Sequence, residues 1–259
     1  MATLSVVLIV KDEAANLEAC LESAVWADEI VVLDAGSSDG TLEIARRYTD
    51  QVFVASDWQG YGPQRQRAQA HAGSDWIFML DADERISPEL WQSIKQAVLA
   101  DQRDSVYAVP RLSWVFGRYI RHSGWYPDYV TRLYARTRAA YGDERVHEKL
   151  HYPAGMHEEK LAGDLLHYTY RDLNHYLVKS AHYAEAWAQQ RFEQGKRASL
   201  WQALLHGVGC FLKMYLVRAG FLDGKQGLLL ALLSAHSTFV KYADLWVRYQ
   251  GRPKEEQPR

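Results

Sequence analysis

Two carboxylates one residue apart stand at the end of an apolar run, Trp76-Ile-Phe-Met-Leu-Asp81-Ala-Asp83-Glu84-Arg85. A buried strand delivers its last side chains to an exposed tip. Hard oxygen donors there suit Mg²⁺ or Mn²⁺, which keep open positions for a diphosphate. Metal-assisted chemistry on a phosphorylated substrate is the first expectation. The same Asp-x-Asp spelling also occurs as a helix cap or turn, but Ser87 before Pro88 already supplies the cap of the next helix. Asp81 and Asp83 are left without an evident structural duty.

Other polar residues follow other apolar runs. Lys11-Asp12-Glu13 comes after residues 4–10, and Asp34-Ala-Gly-Ser-Ser-Asp39-Gly-Thr41 after residues 30–33. Asp34 can accept a hydrogen bond from a base imide, while Gly36, beside Ser37, and Gly40 let backbone approach a ligand. The alternative is a turn that caps the helix at Thr41, which accounts for Asp39. Arg65 and Arg67 offer planar forks for phosphate or base carbonyls, or are simply solvated on a helix surface.

The elements that position these groups alternate. Strand-like runs at 4–10, 30–33, 51–54 and 76–80 are separated by helical spacing at 14–23, 41–48 and 62–72. That order indicates βαβ units in an α/β fold, with the site at the carboxyl ends of parallel strands. Strand-like aromatic segments follow at 106–110, 114–120 and 129–135, with 121–128 as a loop. From residue 172 the chain reads as three long helices, 172–194, 199–218 and 224–249. Two uncharged stretches within them, 198–212 and 226–240, fall short of the ~18–20 residues that cross a bilayer. Core helices, an oligomer interface and interfacial membrane helices all fit them.

At 259 residues, with 48% hydrophobic and 24% charged side chains, the chain can build a sizeable core. Cys20 and Cys210 are too few for a disulfide framework or a thiolate zinc site, which fits a reducing cytoplasm. No secretory leader is evident at the N-terminus. Residues 1–164 carry 17 basic and 25 acidic side chains, about −8, against 13 and 7, about +6, in residues 165–259. The basic half could meet anionic partners or form a solvated helical surface.

Taken in order, Val7-Leu-Ile-Val-Lys-Asp-Glu-Ala, Val31-Val-Leu-Asp-Ala-Gly-Ser-Ser-Asp-Gly-Thr and Leu80-Asp-Ala-Asp-Glu-Arg resemble the GT-A nucleotide-sugar domain of family 2 glycosyltransferases. Arg121-His-Ser-Gly-Trp-Tyr-Pro-Asp, Arg145-Val-His-Glu, Leu166-His-Tyr-Thr-Tyr-Arg-Asp and Gly220-Phe-Leu-Asp-Gly resemble its lipopolysaccharide-core branch, the WaaE/KdtX-like β-1,4-glucosyltransferases. The likeness runs over nearly the whole chain. One departure is Asp12, where the family commonly has Asn.

The resemblance implies a Rossmann-like, mostly parallel GT-A sheet flanked by helices over residues 1–170, a helical region over 171–250 and a flexible tail over 251–259. It implies an inverting transfer of a hexose, glucose from UDP-glucose, to a heptose of the lipopolysaccharide inner core. Lys11, Glu13, Asp34, Gly36, Ser37, Arg65 and Asp81 would bind the donor, with Asp83 and His167 on the divalent metal. Glu148 would be the base and Asp128 its rival. The implied setting is cytoplasmic, peripheral on the inner face of the inner membrane, with a homo-oligomer possible and no nucleic-acid partner.

Other classes compete. His147-Glu148-Lys-Leu-His151 spells H-E-x-x-H, with His157 placed as a third zinc ligand of a metalloprotease. That chemistry needs one helical face, whereas Pro153 and the alternation over 149–152 favour a strand. Transfer to a polyprenyl phosphate usually comes with spanning helices, and a non-catalytic nucleotide-sugar-binding module would not need Asp83 and Glu148 together.

Overall fold

Apolar alternation fixes the central strands of the first unit. The computed structural model describes residues 1–143 and 149–250. The chain divides into two compact units, one formed by residues 1–112 and 128–167, the other by 113–127 and the chain from 168 onward. The first unit opens with β1 (Leu4–Val10), α1 (Ala14–Glu22), β2 (Glu29–Asp34), α2 (Thr41–Arg46), β3 (Val52–Val54), α3 (Tyr61–Ala70) and β4 (Trp76–Leu80). β1 pairs parallel with both β2 and β4, and β2 pairs parallel with β3.

Successive side chains along a strand point to opposite faces. Leu4, Val6, Leu8 and Val10 therefore join Trp76, Phe78 and Leu80 in one core layer with Leu17, Leu90 and Ile94. Val7, Val31, Leu33, Ile77 and Met79 fill the other face with Ala68 and Tyr134. β4 is buried at all five positions, as a central strand covered on both faces must be.

Beyond β4 the chain forms β5 (Glu84–Ile86), α4 (Pro88–Ala100), β6 (Ser105–Val115), β7 (Arg118–Tyr119) and β8 (Asp128–Ala135). Short strands β9 (Ala140–Tyr141), β10 (Leu150–His151), β11 (His157–Lys160) and β12 (Leu165–His167) follow. The main sheet runs β3-β2-β1-β4-β8-β6-β12-β5. Its far half is mixed, with β8 antiparallel to β4 and β6, β12 antiparallel to β5, and β11 parallel to β6. The α/β class with a parallel sheet at its start is borne out. The segments expected at 106–110 and 114–120 prove to be one strand through residue 115 and a short return strand.

In the second unit, β7 folds back on the end of β6, with Trp114 opposite Tyr119. Three helices follow: α5 (Leu173–Glu193), α6 (Leu200–Leu212) and α7 (Gly224–Gln250). α6 continues as a π-helical turn, Lys213–Val217, so the helical run reaches 18 residues, Leu200–Val217. That corrects the expectation that no apolar segment here is long enough to cross a bilayer. The added turn takes in Lys213, the charge that bounds the uncharged stretch 198–212.

Candidate active site

Carboxylate-tipped loops gather at the carboxyl ends of β1, β2 and β4. After β2, Asp34 is fully buried and turns back on its own loop. Its Oδ1 accepts from the Gly36 and Ser37 amides, each at 2.8 Å, and its Oδ2 from the Ser37 hydroxyl. Gly36 sits at φ +87, and an added Cβ would lie 3.0 Å from that of Ser56. Here the glycine serves a tight loop crossing. Asp34 therefore organises the loop and presents no surface to a base.

Asp12 adopts φ 53, a left-handed conformation that Asn and Asp tolerate, which accounts for either residue serving at this position. Its Oδ1 accepts from the Ser38 amide at 2.7 Å, and its own amide donates to Ser37 Oγ at 2.9 Å. Asp39 accepts from the Ala14 and Thr41 amides at 3.1 and 3.0 Å, at the starts of two helices. Lys11 is exposed beside this loop pair. Glu13 stands before α1, where its carboxylate accepts from Asn16 Nδ2 at 2.9 Å.

The Asp81–Glu84 turn is pinned from several sides. Glu84 N donates to Asp81 O at 2.9 Å, and Asp81 N to Glu84 Oε2 at 3.0 Å. Arg85 binds the carbonyls of Ala82, Glu84 and Asn16 at 2.7–2.8 Å. Asp81 faces two buried guanidinia: Arg65 Nη2 reaches its Oδ1 at 2.7 Å and Arg132 Nη2 its Oδ2 at 2.5 Å. Arg132 also binds Glu84 Oε1 at 2.7 Å. Burial opposes ionisation of Asp81, but Arg132 and Arg65 outweigh it and hold the carboxyl far below the usual range. Glu84 shifts upward, since its complete burial is only partly offset by Arg132.

The opening aspartates thus have different duties. Asp81, expected to bind the donor, is committed to Arg65 and Arg132. Arg65 is neither solvated nor open to a phosphate, because it is buried on Asp81. Asp83 lies outside this network, with its Oδ2 3.3 Å from His167 Nε2 and the two side chains 28% and 14% exposed. The β5–β12 ladder sets the meeting, since it places His167 opposite Glu84. A carboxylate and an imidazole at this distance fit a divalent ion, leaving further positions for phosphate oxygens. Among the described residues, no cluster of three or more metal-binding side chains occurs.

Asp128 opens β8, half exposed, with its Oδ2 accepting from Arg111 Nε at 3.0 Å and Nη2 at 2.6 Å. Glu148, the expected base, lies outside the described residues, as does His147. His151 lies in strand β10 and His157 in strand β11, so neither stands on the helix that the protease chemistry needs. Sequence reasoning did not single out Arg132, Arg111 or the buried role of Glu84. For Arg132 the available signal was an arginine inside an otherwise apolar, aromatic strand.

Fold and site together define a GT-A glycosyltransferase. The model of glycosyl transferase family 2 matches residues 5–162, and the chain belongs to that family. A lipopolysaccharide core biosynthesis glycosyltransferase, LpsC of Rhizobium meliloti (strain 1021), is 28% identical over 256 residues, covering 95% of this chain and 93% of that protein. An uncharacterised glycosyltransferase of Rickettsia prowazekii (strain Madrid E) is 26% identical over 256 residues, covering 95% and 87%. The crystal structure of S. aureus TarS 1–349 aligns over 97% of this chain and 93% of that one, with 14% identity and a TM-score of 0.46.

Proposed function

We propose that this family 2 glycosyltransferase moves glucose from UDP-glucose to a heptose of the lipopolysaccharide inner core, with inversion at the anomeric carbon. The observation that carries the reading is the Asp83–His167 pair, 3.3 Å apart at the strand ends of a chain similar throughout to a lipopolysaccharide core glycosyltransferase. Asp83 and His167 would hold Mg²⁺ or Mn²⁺. When bound, the ion neutralises charge on the departing diphosphate. Arg65 and Arg132 balance Asp81, and Arg132 and Arg111 lie against Glu84, so that among the described residues the ionic partner of Asp83 is His167.

In the transfer, the acceptor hydroxyl oxygen bonds to the anomeric carbon as the carbon–oxygen bond to UDP breaks. The hydroxyl proton passes to a carboxylate. Glu148 is the proposed base, and the commitment of Asp128 to Arg111 supports that division of labour. Incubation with Mg²⁺ or Mn²⁺, a heptose-terminated core oligosaccharide and a panel of UDP-sugars tests the reading by UDP release and the product anomer. Release with UDP-glucose and a β-linked product is expected. No turnover of any sugar nucleotide would overturn it.

A further inference from the structure

The second unit leaves one helix almost uncovered. The run Leu200–Val217 is apolar enough to cross a membrane by length and composition, yet only 11% of it is buried within the chain. A core helix of a soluble domain would be mostly covered. Instead this run closes on α7 through its small residues Ala203 and Gly207, both buried. A Cβ on Gly207 would meet the Ala235 carbonyl at 3.2 Å, so the two helices touch backbone to backbone. The large side chains point away: Trp201 is 75% exposed, Leu205 68% and Val217 80%, with Leu204, Val208 and Leu212 also open.

Charge identifies what fits there. Between residues 196 and 243 stand Lys196, Arg197, Lys213, Arg218, Lys225 and Lys241, against a single acid, Asp223. Asp223 is buried and accepts from the Arg121 and His122 amides at 3.1 and 2.9 Å and approaches His122 Nδ1 at 3.0 Å. The charge flanking the apolar run is therefore predominantly cationic, and Asp244, just beyond it on α7, is paired with Arg248. A second copy packed face to face would set cation against cation. An anionic lipid surface accepts both the apolar side chains and the cationic rim.

We infer that the run Leu200–Val217 lies in the plane of an anionic bilayer, with Trp201, Leu205 and their exposed neighbours inserted at the headgroup boundary. A spanning position is opposed by α7, which runs alongside and would carry Lys241, Asp244 and Arg248 into hydrocarbon. The inference concerns where the chain works, and its readout does not depend on sugar transfer.

Flotation of the full chain with phosphatidylglycerol–phosphatidylethanolamine vesicles, and with phosphatidylcholine vesicles, tests it. Binding to the anionic vesicles is expected, weaker to the neutral ones, and persisting in part at about 1 M salt, where surface charges are screened. Leu205→Glu and Trp201→Ser should each lower partition about tenfold or more with an unchanged Tm, because both side chains face outward. No flotation, complete release by salt, or unchanged partition of both variants would overturn the inference. So would a wild-type dimer that ignores vesicles and that Leu205→Glu splits. If Leu205→Glu fails to fold, brominated acyl chains decide: they should quench wild-type tryptophan fluorescence more than that of Trp201→Phe, and equal quenching would contradict insertion.

Discussion

Asp81 and Asp83 share a motif but not a task. Asp81 closes a buried set with Arg65, Arg132 and Glu84, so removing its charge takes an ionic partner from two buried guanidinia, of which Arg132 keeps Glu84. Asp81→Asn should cost about 3–5 kcal/mol, the scale of breaking a buried ion pair from one side. The pH dependence has a definite sign. Because the folded carboxyl titrates far below its unfolded value near ~3.9, its contribution is complete above that pH and fades as pH falls further, by about 1.4 kcal/mol per unit. Denaturation of wild type and variant should show a constant gap from about pH 5 to 8, narrowing below about pH 4. A gap under about 1 kcal/mol at neutral pH would contradict the network. The sequence made the Asp-x-Asp legible, but not which aspartate is neutralised, because an arginine in a strand reads the same whether it faces solvent or a buried carboxylate.

At the scale of elements, one hydroxyl joins two segments near the site. Ser87 Oγ accepts from Leu90 N at 3.2 Å, capping α4, and from Asp164 N at 3.1 Å, ahead of the strand that carries His167. Ser87→Ala should destabilise by about 1–2 kcal/mol in urea unfolding, the upper part of the range for a lost cap, and a change below about 0.3 kcal/mol would deny the double role. The cap itself was readable from Ser-Pro-Glu. β1 and β4 were readable to the residue, because strands covered on both faces spell continuous apolar runs. β5 was not, since three residues including Glu84 and Arg85 carry no strand pattern. The strand-like segments at 106–110 and 114–120 leave out residues 111–113, yet β6 runs through them, with Ser113 buried and Arg111 held by Asp128.

At the scale of the molecule, the shift from an acidic to a basic half signalled two regions. It could not show that residues 113–127 join the helical unit, since that membership depends on contacts distant in sequence, such as Asp223 with the Arg121 and His122 amides. The central claim is that Asp83 and His167, brought together by β5 and β12, hold the ion on which the donor diphosphate rests. Titration calorimetry of UDP with and without Mn²⁺ tests it most directly, on wild type and on Asp83→Asn and His167→Asn. Wild type should bind UDP more tightly with the ion, and each variant should lose about tenfold or more of that gain while keeping its ion-free affinity. UDP affinity indifferent to Mn²⁺, or an undiminished gain in both variants, would contradict it.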